Sequence, residues 1–129
     1  MKNTPPDYVK KYLQVAESTI VEAEMLLDGG QLRGAINRIY YASFYAVSAL
    51  LEAEHFNSKK HSGVRSIFNK EFIQTGKLEL KHAAFFNSIF DLRNDVDYLM
   101  DAVLDFTKVK VSLENAKSLL EAIKAYIYS

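Results

Sequence analysis

The chain of 129 residues has no cysteine and no tryptophan, and its two prolines stand side by side at Pro5 and Pro6. Without cysteine there is no disulfide framework, no thiolate nucleophile and no zinc–thiolate site, which fits a reducing compartment. Glycine is scarce as well: there are five, and four stand where helices would be expected to stop or start. Helix breakers confined in this way point to an all-helical protein. No run approaches the roughly 18 apolar residues of a membrane-spanning helix. The opening MKNTPPDY lacks the apolar stretch of a secretory signal, so a cytoplasmic location with no membrane partner is expected. An excess of one charge is absent too. Sixteen basic and sixteen acidic side chains cancel, so no whole-molecule field draws the protein to a polyanion, and any such site must be local.

The composition that remains is that of a folded protein. Hydrophobic residues make up 49%, charged residues 25%, and mean hydropathy is −0.10, which excludes disorder and a fibrous chain. At 14.7 kDa the whole of 1–129 reads as a single domain. No internal repeat, low-complexity tract or linker interrupts it.

Thr4-Pro5-Pro6-Asp7 reads as an N-cap, two prolines in a first turn and an acid facing the helix dipole. Val9, Leu13, Ala16, Ile20, Ala23 and Leu27 then recur at steps of four and three, a helical core stripe ending at Gly29-Gly30. A second helix from about Gln31 carries Leu32, Ile36, Ile39, Tyr40, Ser43, Val47, Leu50 and Leu51 on one broad face, with Tyr41, Phe44 and Tyr45 added on the other side. Such a helix is central in a bundle or lies in an oligomer interface. The polar, basic stretch from His55 to His61 reads as a loop. A third helix is expected from Ser62 to Thr75, with Val64, Ile67, Phe68 and Phe72 inward and Gly76 as its stop. A fourth is expected from Glu79 to Met100 with Ala83, Phe86, Ile89, Phe90, Arg93, Val96 and Asp97 near one stripe. Asp101 to Val111 has poor periodicity and reads as irregular. Ser112 then caps a last helix carrying Ala116, Leu119, Leu120, Ile123 and Ile127.

None of the three histidines, His55, His61 and His82, has a second ligand at metal-binding spacing, and no glycine-rich loop could cradle a phosphate. No metal and no cofactor are therefore expected. Three segments stand out instead. Arg38, Tyr41 and Tyr45 share a helix face, which could hold a phosphate or stack a base, or could fill a core or dimer seam with Arg38 paired to an acid. Arg93 and Asp97, four apart, could be a surface ion pair or an inward pair with a functional role, with Asn94 and Tyr98 beside them. Asn57 to Arg65, extended by Lys70, holds Lys59, Lys60, His61 and Arg65 and no acid, a local anion site at a helix N-terminus or simply a solvated loop.

In this order and at this spacing, the three segments resemble the HEPN family, the higher eukaryote and prokaryote nucleotide-binding domains, and within it the small stand-alone prokaryotic branch. The matching residues are Arg38-Ile39-Tyr40-Tyr41-Ala42-Ser43-Phe44, then Lys60-His61-Ser62-Gly63 with Phe68, then Leu92-Arg93-Asn94-Asp95-Val96-Asp97-Tyr98. The resemblance implies an up-and-down bundle of four or five helices, commonly a homodimer. It also implies a minimal nucleotidyltransferase as partner, as toxin and antitoxin or as accessory and catalytic subunits. Many family members are metal-independent RNases whose signature is an arginine, a polar residue and a histidine, with four to six residues between the arginine and the histidine. Arg93 and Asn94 begin that signature, but Tyr98, Leu99 and Met100 stand where the histidine would be accepted. A phenol with a pKa of about 10 does not exchange protons at neutral pH as imidazole does, which argues against catalysis.

The expected function is a non-catalytic module that binds a nucleotide or RNA phosphate in a groove lined by Arg38, Tyr41, Arg93, Asp97 and Tyr98. The arginines would hold phosphate, the tyrosines would stack or hydrogen-bond, and Asp97 would orient Arg93. Lys59, Lys60, His61 and Arg65 form the secondary anion site. The alternatives are an RNase toxin in which Arg93 stabilises the scissile phosphate and a displaced His61 is the base, and a structural homodimer without ligand.

Overall fold

The structure, a computed structural model, describes residues 4–58, 60–98 and 104–129, with the side chains of Asp97 and Tyr98 outside that description. Its described residues form five α-helices: α1 (Asp7–Asp28), α2 (Leu32–Ala53), α3 (His61–Phe68), α4 (Leu80–Tyr98) and α5 (Phe106–Ile127). A π turn, Asn69–Ile73, follows α3, and no strand occurs among the described residues. The fold is an all-α bundle in which α2 is central, packing against α1, α3, α4 and α5.

The stripe of α1 is buried from Val9 to Leu27, as its spacing requires. The chain then reverses in two residues. Gln31 N–H donates to the Leu26 carbonyl at 2.8 Å and Gly30 N–H to the Leu27 carbonyl at 3.0 Å, a Schellman closure. Gly30 adopts the φ of +74° that this closure demands and that a side chain would oppose. Helix α2 ends in the same way. Phe56 N–H reaches the Leu51 carbonyl at 2.8 Å and His55 N–H the Glu52 carbonyl at 3.1 Å, but here the left-handed residue is His55, with φ +63°.

Three boundaries differ from the sequence reading. Pro6, not Thr4, is the N-cap of α1, its carbonyl accepting from Val9 and Lys10 N–H, so the prolines precede the helix rather than opening it. The expected helix over 62–75 starts at His61 and gives way to the π turn at Asn69; the wider turn accompanies the insertion of both Phe68 and Phe72 into the core, their rings stacked with centroids 6.4 Å apart. Helix α5 begins at Phe106, so 106–111 is helical and Ser112 lies within the helix. The cap is Asp105, whose carboxylate accepts from Thr107 N–H at 2.7 Å and Lys108 N–H at 3.4 Å. Burial of Val109 in register with Leu113 and Ala116 outweighs the weak helix propensity of a β-branched stretch. The expected end of the fourth helix at Met100 lies outside the described residues.

Candidate functional site

Helix α2 builds the site because its outward rings are as large as its buried ones. Tyr40 is fully buried and Tyr41 half-buried, their rings meeting edge-on with centroids 5.1 Å apart. Arg93 comes from α4 and lies against both rings, its Cζ 5.1 Å from the Tyr40 centroid and 5.5 Å from that of Tyr41. Its Nη2 donates to the Tyr41 hydroxyl at 3.3 Å. Arg33, at the start of α2, donates to the Val96 carbonyl and so ties the end of α4 carrying Arg93 to the N-terminal turn of α2.

Arg38 meets the same Tyr41 ring, its Cζ 5.3 Å from the centroid. It donates to Asn37 Oδ1 at 2.8 and 3.1 Å and pairs with Glu22 of α1 at 3.4 Å in a partly exposed contact. Two guanidiniums thus approach one phenol, partly shielded from water, where a charge-assisted bond to an oxyanion is stronger than at an open surface.

His61, the first residue of α3, turns inward. Its Nδ1 is 2.7 Å from the Tyr40 hydroxyl, and its ring lies 4.1 Å from that of Phe44 and 6.0 Å, edge-on, from that of Tyr41. Burial, reinforced by the Arg93 charge, lowers its pKa below the ordinary histidine value of 6.5. Burial also pushes the Tyr40 hydroxyl up to about 12, against the opposing pull of Arg93. At neutral pH, therefore, a neutral imidazole and a protonated phenol share this bond.

The structure brings together Arg38, Tyr41, Arg93 and His61. The members of the basic segment part company. Lys60 is exposed at the N-cap of α3, whereas Arg65 lies on the Phe90 ring at 4.3 Å and pairs with Asp91 at 3.5 Å. Lys59 lies outside the described residues, as do the Asp97 and Tyr98 side chains. Sequence reasoning put Tyr40 in the core and gave it no role in the site. The signal was present in the Tyr40-Tyr41 pair, because adjacent residues on a helix aim about 100° apart and can grip a side chain between them. Among the described residues no group of three or more His, Asp or Glu could hold a metal, and no helix is long and apolar enough to cross a membrane.

A helical bundle with an arginine–tyrosine–histidine cluster between its second, third and fourth helices is the class of protein that the fold and the site define. The HEPN domain model matches residues 9–126, and the chain belongs to the HEPN family. It is 37% identical over 125 residues to a UPF0332 protein of Thermotoga maritima, covering 97% of this chain and 95% of that one. It is 34% identical over 123 residues to a protein of Methanocaldococcus jannaschii named "Putative toxin MJ0142", covering 94% of this chain and 82% of that one. A second protein of that organism, "Putative toxin MJ0605", is 28% identical over 119 residues, covering 92% of this chain and 83% of that one.

Proposed function

We propose that the protein is a HEPN module that binds the phosphate of a nucleotide or RNA without cleaving it, as one component of a toxin–antitoxin-like pair with a nucleotidyltransferase. The observation that carries this reading is the approach of both Arg38 and Arg93 to the Tyr41 ring. A phosphate seated beside the phenol would accept from both guanidiniums, with the tyrosine hydroxyl as a further donor. The toxin-like names of two relatives support the setting. Exposed Tyr8 and Val15 on one face of α1, and Val21 and Met25 about 110° round it, offer apolar side chains to a second copy or to the partner.

A specific observation favours a second reading, a metal-independent RNase. His61 and Arg93 share the Tyr40 and Tyr41 rings, so an imidazole stands beside the guanidinium although Tyr98 occupies the position of the family's histidine. Incubating the protein with RNA and a chelator separates the two. Intact RNA that is nevertheless retained by wild type, and released by Arg93→Ala, is the expected result. Cleavage abolished by both Arg93→Ala and His61→Ala would replace the first reading with the second.

A further inference from the structure

Beside His61 the structure holds a cavity of about 260 Å³ that the phosphate reading leaves unused. Its walls include the rings of Tyr12, Phe44, Tyr45 and Phe56, and its polar groups include the Ser48 hydroxyl and the Glu52 carboxylate. Phe44, Ser48 and Glu52 follow one another at steps of four along α2, so a ring, a hydroxyl and a carboxylate line one stripe of a single helix. Ser48 is 91% buried by its 9% exposure. Glu52 is half-buried, and its carboxylate makes no hydrogen bond or ion pair among the described residues.

We infer that this cavity is a guanine pocket, the base site of the nucleotide whose phosphate is held at Arg93 and Tyr41; the inference rests on the phosphate reading above. Aromatic walls suit the π face of any base. The polar edge is selective. A carboxylate can only accept, and guanine presents N1–H and the N2 amino group side by side, one for each carboxylate oxygen, with its O6 left for the Ser48 hydroxyl. Adenine would turn the N1 lone pair toward that carboxylate, cytosine its N3 and uracil a carbonyl on each side of its single N–H, so each leaves an acceptor facing an acceptor. A single nucleotide would reach both sites only in its fully extended form. Tyr41 and Ser48 are two helical turns apart, about 10 Å along the axis, and Glu52 about 6 Å further, which keeps its charge more than a Debye length of about 8 Å from a phosphate at Tyr41.

The test is calorimetric titration of the full chain with GMP, AMP, CMP, UMP and inorganic phosphate, using wild type, Glu52→Gln, Ser48→Ala and Arg93→Ala. Wild type should bind GMP about tenfold or more tighter than AMP, and Glu52→Gln should reduce that preference to about twofold or less. Ser48→Ala should weaken GMP alone. Arg93→Ala should weaken all four nucleotides by a similar factor and leave their order intact. Equal binding of the four by wild type, or a preference indifferent to Glu52→Gln, would overturn the guanine pocket while leaving the phosphate site standing. Absence of binding by every nucleotide and by phosphate would overturn both.

Discussion

Tyr40 and His61, 21 residues apart in sequence, meet hydroxyl to Nδ1 at 2.7 Å, and this contact draws the start of α3 onto the face of α2 where Arg93 lies. A residue that reads as part of a basic loop is thereby made part of an aromatic cluster.

Stability should fall as the solution is acidified through the histidine range. Burial, then the Arg93 charge, lowers the His61 pKa; burial, then Lys81, lowers that of His82, with Glu79 opposing. The unfolded chain titrates at about 6.5. Below that value it takes up protons that the folded protein refuses, so stability is complete above about pH 6.5 and declines toward the lowered folded values. Urea midpoints measured from about pH 7.5 to about pH 5.5 should drop for wild type and flatten in the double variant His61→Asn, His82→Asn. An equal drop in both proteins would contradict the assignment.

At the end of α2, His55→Gly should be stabilising. His55 holds a φ of +63° to close the Schellman turn, a conformation that costs a β-carbon about 1 kcal/mol and glycine nothing. Thermal unfolding should show a gain of about 0.5–1 kcal/mol for glycine. A loss of the same size for His55→Val would show that the backbone, not the imidazole, sets the effect.

Gly63 and Ser58 should be energetically coupled. A Cβ on Gly63 would stand 2.0 Å from Ser58 Oγ and 3.1 Å from its Cβ. Clearing the hydroxyl breaks its contacts with the Lys60 carbonyl at 3.2 Å and Lys60 N–H at 3.3 Å. Alanine in a helix gains about 1 kcal/mol over glycine, and those exposed bonds offset roughly that amount. Gly63→Ala should therefore be close to neutral in wild type and stabilising in a Ser58→Ala background, by less than the full ~1 kcal/mol because the 3.1 Å contact with the Cβ of residue 58 remains. Additive effects in the double-mutant cycle would refute the clash.

Much of the bundle is visible in the spacing of its apolar residues. The α1 stripe, the greasy α2 and the turn at Gly29-Gly30 follow from period and breakers alone. The start of α5 does not, because Val109 and Val111 weaken local propensity and only burial of Val109 against the bundle decides the matter; Asp105, three residues ahead of Lys108, was the readable cap. At the site, Arg38, Tyr41 and Arg93 were legible because arginine is out of place on apolar helix faces. The inward turn of His61 was not. It depends on a loop that returns α3 beside Tyr40, a tertiary event with no local signature.

The most direct test of the phosphate seat is the salt dependence of short single-stranded RNA binding. Each phosphate contact contributes about 0.7 to the slope of log K against log salt concentration. Arg93→Ala should weaken binding and lower the slope by roughly that amount, with Arg38→Ala acting in the same direction and Lys60→Ala leaving it unchanged. A slope untouched by both arginine substitutions but reduced by Lys60→Ala would contradict the account and move the contact to the exposed loop before α3.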